Sequence, residues 1–125
     1  MEQASDGKFW CYTEHGIGDV GLSAIGDSVA AAKADLMECY EEARQDAEEN
    51  GKTFPEVEFE YKYDLQSFFN YFSFLNVSDI AKRSGINPSL MRQYSSGVKK
   101  AGEKTYQRLN ACMSNIKADL QAAVF

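Results

Sequence analysis

The stretch Val77–Ser96, VSDIAKRSGINPSLMRQYSS, spells two short helices around a glycine turn. Asn76 stands at an N-cap position, and Asp79 three residues on makes a capping-box-like start. Ile80 and Ala81 precede Gly85 by five and four residues, placing a small residue where two helices would cross closely. Gly85 can take the left-handed conformation that ends a helix. Ile86 follows at once. Asn87 is then a second N-cap, with Pro88 at the first helical position, where its missing N–H costs nothing. The second helix is predicted over about Pro88–Ser95. Leu90, Met91 and Tyr94 form its apolar face, while Ser89, Arg92, Gln93 and Ser96 face away.

That order of residues has the spacing of a helix-turn-helix, whose second helix lies in the DNA major groove. Asn87, Ser89, Arg92 and Gln93 are the expected base-reading positions, since Arg and Gln can bond guanine and adenine edges through two atoms at once. Ser96, Lys99, Lys100 and Lys104, at the helix end and on the loop and helix start that follow, are the expected phosphate contacts. A plain hairpin of two helices would show the same spacing. Charge offers an independent argument.

Residues 1–76 hold five Lys and Arg against sixteen Asp and Glu, a net of −11. Residues 77–125 hold eight basic residues against Asp79, Glu103 and Asp119, a net of +5. The total of −6 would argue against a nucleic-acid binder, but the distribution decides. The basic half suits a phosphate lattice; the acidic half does not. The chain reads as two modules with different partners.

A chain of 125 residues can bury one core or two small ones. Aromatic residues make up 13 % and only two prolines occur, so no disordered tract is expected. No apolar run has the length of a membrane span, and MEQASDGK has no signal-peptide core, which leads to an expected cytoplasmic location. Cys11, Cys39 and Cys112 are far apart and outside any CxxC spacing, so they read as small buried hydrophobes rather than a metal or disulfide set.

In the acidic half, Phe9–Glu14 and Val20–Ala24 read as a β-hairpin around the turn His15–Asp19. Ser28 caps a helix predicted from about Val29 to Glu49, with Val29, Ala32, Leu36, Tyr40, Ala43 and Ala47 on one stripe and Asn50-Gly51 as the stop. Val57, Phe59, Tyr61 and Tyr63 alternate with Glu58, Glu60, Lys62 and Asp64, which predicts a half-buried strand. From Leu65 the apolar period becomes helical, and Tyr106, Leu109, Met113, Ile116 and Leu120 mark a last long helix. The expected fold is α+β: a β-β-α-β module over residues 1–64 and a four-helix bundle over residues 65–125.

Leu65–Leu120 resembles the DNA-binding domain of phage-like (XRE-type) repressors, through Ile80-Ala81, Gly85, Ile86 and Tyr94-x-Ser96-Gly97-x-Lys99. The first half resembles the HicB antitoxin domain, a partial RNase H-like module, through Gly26-Asp27-Ser28 before an Ala- and Glu-rich helix and Gly51-Lys-Thr-Phe-Pro55 after it. His15–Asp19 stands where that family usually has a Pro-Asp-Leu-Pro-Gly-like turn. The resemblance implies an antitoxin that represses its own operator and holds a basic, RNA-cleaving HicA-like toxin through its first domain. Glu38, Glu42 and Asp46, four residues apart on the acidic helix, are the expected toxin-binding positions; the same run also fits a merely solvated face.

Metal-dependent nuclease chemistry on an RNase H-like sheet needs converging carboxylates, at least one of them on the first strand. Here the first predicted strand offers only Glu14, and His15, the sole histidine, has no nucleophile near it in sequence. No catalytic residue, metal or cofactor is assigned. The partners expected are double-stranded operator DNA, the toxin, and at least a second copy of the chain, joined through the N-terminal sheet edge or through Phe69, Tyr71 and Phe74. The alternative is a solitary regulator whose first module dimerises or senses a ligand.

Overall fold

The structure is a computed structural model describing residues 1–125. Three strands, β1 (Glu2–Gln3), β2 (Phe9–Tyr12) and β3 (Ser23–Gly26), form an antiparallel sheet in the order β1-β2-β3. Five helices follow: α1 (Val29–Glu49), α2 (Leu65–Tyr71), α3 (Val77–Ser84), α4 (Pro88–Ser96) and α5 (Glu103–Ala122). The class is α+β, and none of the helices is long and apolar enough to cross a membrane. The chain divides into two compact units, Met1–Tyr71 and Phe72–Phe125.

In the first unit, alternation along β2 sends Phe9 and Cys11 inward and Trp10 and Tyr12 outward. Cys11 faces Ala24 and Trp10 faces Ile25 across the ladder with β3. Of the expected hairpin strands, Phe9–Glu14 is cut to Phe9–Tyr12, and Val20–Ala24 is displaced to Ser23–Gly26. The Thr13 N–H still reaches Leu22 O at 3.0 Å, and beyond that pair a small folded loop closed by an Ile17–Val20 bridge buries Ile17 and Leu22. β1 was not expected from the sequence.

α1 begins where Ser28 Oγ accepts the Ala31 N–H at 3.0 Å. Its stripe of Val29, Ala32, Leu36 and Tyr40 packs with Phe9, Cys11, Ala24, Ile17 and Leu22 to make the core. Burial raises the Cys11 thiol above its ordinary pKa, as expected of a cysteine used as a hydrophobe.

The strand expected over Val57–Tyr63 does not form a ladder. The alternation is realised, with Val57, Phe59, Tyr61 and Tyr63 half-buried against the core and Glu58, Glu60 and Lys62 exposed. A main-chain bond from the Asp64 N–H to Met1 O, 3.1 Å, ties the end of this region to the residue before β1. β1 is two residues long and offers no further partner. Aromatic packing holds the segment instead: Phe59 meets Tyr40 edge-on, and Lys33 Nζ lies 4.2 Å and 3.6 Å from the ring centres of Tyr61 and Tyr71.

α2, expected in the second module, belongs to the first unit. Asp64 ties it there: one carboxylate oxygen caps α2 at the Ser67 N–H and the other accepts the Gln3 N–H. Asn70 Oδ1 also accepts the Val29 N–H at the start of α1.

Candidate nucleic-acid interface

In the second unit, Asn76 Oδ1 accepts the Asp79 N–H at 3.0 Å and starts α3. α3 ends in a Schellman turn. Gly85 sits at φ +74°, Ile86 N–H reaches Ala81 O at 2.9 Å, and Gly85 N–H reaches Lys82 O at 3.3 Å. Asn87 Oδ1 then accepts the Ser89 and Leu90 N–H groups at 2.9 and 3.2 Å, and Pro88 opens α4. Three residues therefore separate two capped helices. Ile80, Ala81, Ile86, Met91 and Tyr94 are buried, with Leu109 and Cys112 of α5 completing the set.

The positions expected to read bases all lie at the surface: Asn87, Ser89, Arg92 and Gln93 are exposed. Asn87 is committed through its carbonyl oxygen to the cap, which leaves its amide nitrogen for an outside acceptor. Arg92 Nη1 donates to Ser78 Oγ at 3.0 Å, so the guanidinium is steered across to the start of α3 with its other donors available. Gln93 O accepts the Lys99 N–H at 3.3 Å and the Ser96 hydroxyl at 3.2 Å.

Ser96, Lys99, Lys100 and Lys104 are exposed, and the three lysines form no ion pair within the chain. Gly97, at φ +82°, turns the chain into the loop that carries Lys99 and Lys100. Lys104 lies in the first turn of α5, beside an N-cap glycine that provides no side-chain cap. Two contacts went unread in the sequence. Arg108 Nη1 donates to Gly85 O at 3.4 Å, bringing a cation from α5 to the turn between α3 and α4. Arg83 is paired with Asp119, which partly neutralises it. Neither contact has a local signal, because the partners are 23 and 36 residues apart.

In the first unit, Glu38, Glu42 and Asp46 are exposed on α1 and enter no ion pair, whereas Glu41 and Glu48 flank Arg44 and are paired with it. Arg44 holds the Glu41 carboxyl below its ordinary range. The Cys39 thiol is pushed up, first by burial and then by the Asp35, Glu42 and Glu38 carboxylates around it. A cleft of about 530 Å³ opens at this end of α1, with Tyr40, Phe54 and Val57 as its apolar lining and Glu41, Glu48 and Glu56 among its acidic residues. No group of three His, Cys, Asp or Glu side chains gathers closely enough to hold a metal ion. No protein-family model, curated protein or solved structure matches the chain.

Proposed function

We propose that this protein is a sequence-specific DNA-binding repressor of the HicB-like antitoxin kind. α4 is its recognition helix in a helix-turn-helix with α3, and the first unit engages a basic toxin. The observation that carries the DNA reading is the exposed set Asn87, Ser89, Arg92 and Gln93, from the N-cap to the middle of α4, on a unit whose net charge is +5. Caps on both helices fix the main chain from which these side chains project. Lys99, Lys100 and Lys104 extend the positive surface along the following loop and helix start. No enzymatic step is assigned.

Arg92→Ala is expected to cost about 1–3 kcal/mol of affinity for a selected operator and to relax specificity at one base pair. Lys99→Ala is expected to weaken all sequences alike and flatten the salt dependence. Fluorescence anisotropy on matched and mismatched duplexes separates the two effects. Equal binding by Arg92→Ala and wild type would remove α4 from the groove.

The toxin half of the reading rests on the unpaired carboxylates of Glu38, Glu42 and Asp46 on a unit carrying −11. Replacing all three with lysine is expected to slow association with the basic partner while leaving operator binding intact, because long-range charge acts mainly on the on-rate. Neutralisation unchanged at low salt would make this row a solvated face.

A further inference from the structure

The run Val57–Lys62 alternates half-buried and exposed side chains, and its main-chain N–H and C=O groups have no partner within the chain. The rings of Phe59, Tyr61 and Tyr63 follow one another at 6.3 and 6.5 Å, close to the two-residue repeat of an extended strand, about 6.6 Å. Alternate residues of such a run turn their N–H and C=O to the same edge. One edge therefore offers Val57, Phe59 and Tyr61, and the other Glu58, Glu60 and Lys62. The sheet is less open. At β3 the Ile25 N–H is taken by Asp35 Oδ2, and at β1 the Gln3 N–H is taken by Asp64 Oδ2. An unpaired run of strand-like backbone is a template for strand addition.

We propose that the occupant is an extended segment of a basic partner protein, with Lys or Arg at every second position and apolar residues between them. Charge carries the choice. Glu58 and Glu60, with Glu56 just before the run, are exposed and enter no ion pair, while Lys62, the only cation of the run, is paired with Glu14 at 3.1 Å. The side chains of an added strand alternate in step with its neighbour. Its cations then stand beside these carboxylates, and its apolar residues beside Val57, Phe59 and Tyr61. At its start the run borders the cleft of about 530 Å³ with Tyr40, Phe54 and Val57 as apolar lining, a seat for one side chain at the end of the added strand. A second copy of the chain fits less well. Antiparallel pairing of the run with itself about Phe59 sets Glu58 against Glu60, and about Glu60 sets that residue against its own copy. Pairing about Tyr61 carries the ladder into Asp64, whose N–H is bonded to Met1 O.

Strand addition specifies how the first unit holds its basic partner, and so rests on that reading of the unit. The probe is the heptapeptide acetyl-Leu-Lys-Val-Lys-Val-Lys-Leu-amide, with leucine at both ends so that either strand direction seats one in the cleft. Titrated into the full chain at near-physiological salt and followed by calorimetry, it is expected to bind. Methylating its lysine main-chain nitrogens removes the donors of one edge, and methylating those of leucine and valine removes the donors of the other. Strand addition uses one edge of the peptide, so one methylated form should bind as the parent does and the other about tenfold or more weakly. E58K/E60K should weaken the parent peptide about tenfold, since two favourable cross-strand pairs become like-charge pairs. Its circular dichroism should match wild type, because both side chains are exposed and unpaired. No binding of the parent peptide, equal affinity of the two methylated forms, or an E58K/E60K chain that binds as wild type does would each overturn the proposal. None of these results decides the basic-partner reading, which the neutralisation test of Glu38, Glu42 and Asp46 settles separately.

Discussion

Gly26→Ala is expected to destabilise the first unit by roughly 3 kcal/mol, at the upper end of what overpacking costs. A Cβ at this position would lie 2.5 Å from the Ala32 nitrogen and 2.8 Å from the Ala31 carbonyl carbon. Both are main-chain atoms in the first turns of α1, so no rotamer change can relieve the contact. The helix would have to lift away from the end of β3, loosening Val29 and Ala32, both fully buried in the core. Urea unfolding followed by circular dichroism measures the loss. A change below about 0.5 kcal/mol, the range of ordinary surface substitutions, would mean the strand and helix are not in close contact there.

The second large effect is expected in the other unit. Met91 is fully buried on the inner face of α4. Met91→Ala should cost about 2–5 kcal/mol through lost transfer energy and the cavity left behind. The buried set of this unit is small, so a loss of that size consumes most of what so short a domain holds in reserve. Thermal unfolding should shift strongly downward and DNA binding should be lost with it. Met91→Leu, which keeps the volume, should retain both within about 1.5 kcal/mol. If Met91→Ala bound a selected operator as wild type does, α4 would not owe its position to this packing.

Much of the fold could be read locally, and the reason is capping. Ser28 and the Asn50-Gly51 stop bracket α1 at the bounds the sequence implies. Asn76, Gly85, Asn87 and Pro88 likewise mark the ends of α3 and α4. In each case a side chain or a left-handed glycine satisfies main-chain groups within a few residues. The expectations that failed depend on partners distant in sequence. The alternation of Val57–Tyr63 reported one-sided burial correctly, but burial does not specify a ladder, and β1 is too short to supply one. The helical period from Leu65 gave α2 its type but not its unit, which Asp64 and Asn70 decide by bonding to Gln3 and Val29.

The expected site residues were legible as surface positions for the same local reason. Once the caps fix the phase of α4, burying Met91 and Tyr94 leaves Ser89, Arg92 and Gln93 outside. What the sequence could not convey was how those side chains are held. Arg92 leans on Ser78 of the preceding helix, and Arg108 reaches Gly85 O from α5. Among the aromatics considered for self-association, Phe69 is buried and Phe74 exposed. That contrast follows from packing that helical periodicity alone does not resolve.

The central claim is that α4 reads DNA sequence. The direct measurement is selection of binding sites by the purified full-length chain from randomised duplex DNA, followed by titration of the enriched sequence against scrambled duplex. The account predicts enrichment of a short motif repeated with two-fold symmetry at a centre-to-centre spacing of about one helical turn, roughly 34 Å, or a multiple of it. It also predicts that Arg92→Ala loses preference at one position of each half-site. Recovery of no motif, with equal affinity for enriched and scrambled duplex at near-physiological salt, would contradict it.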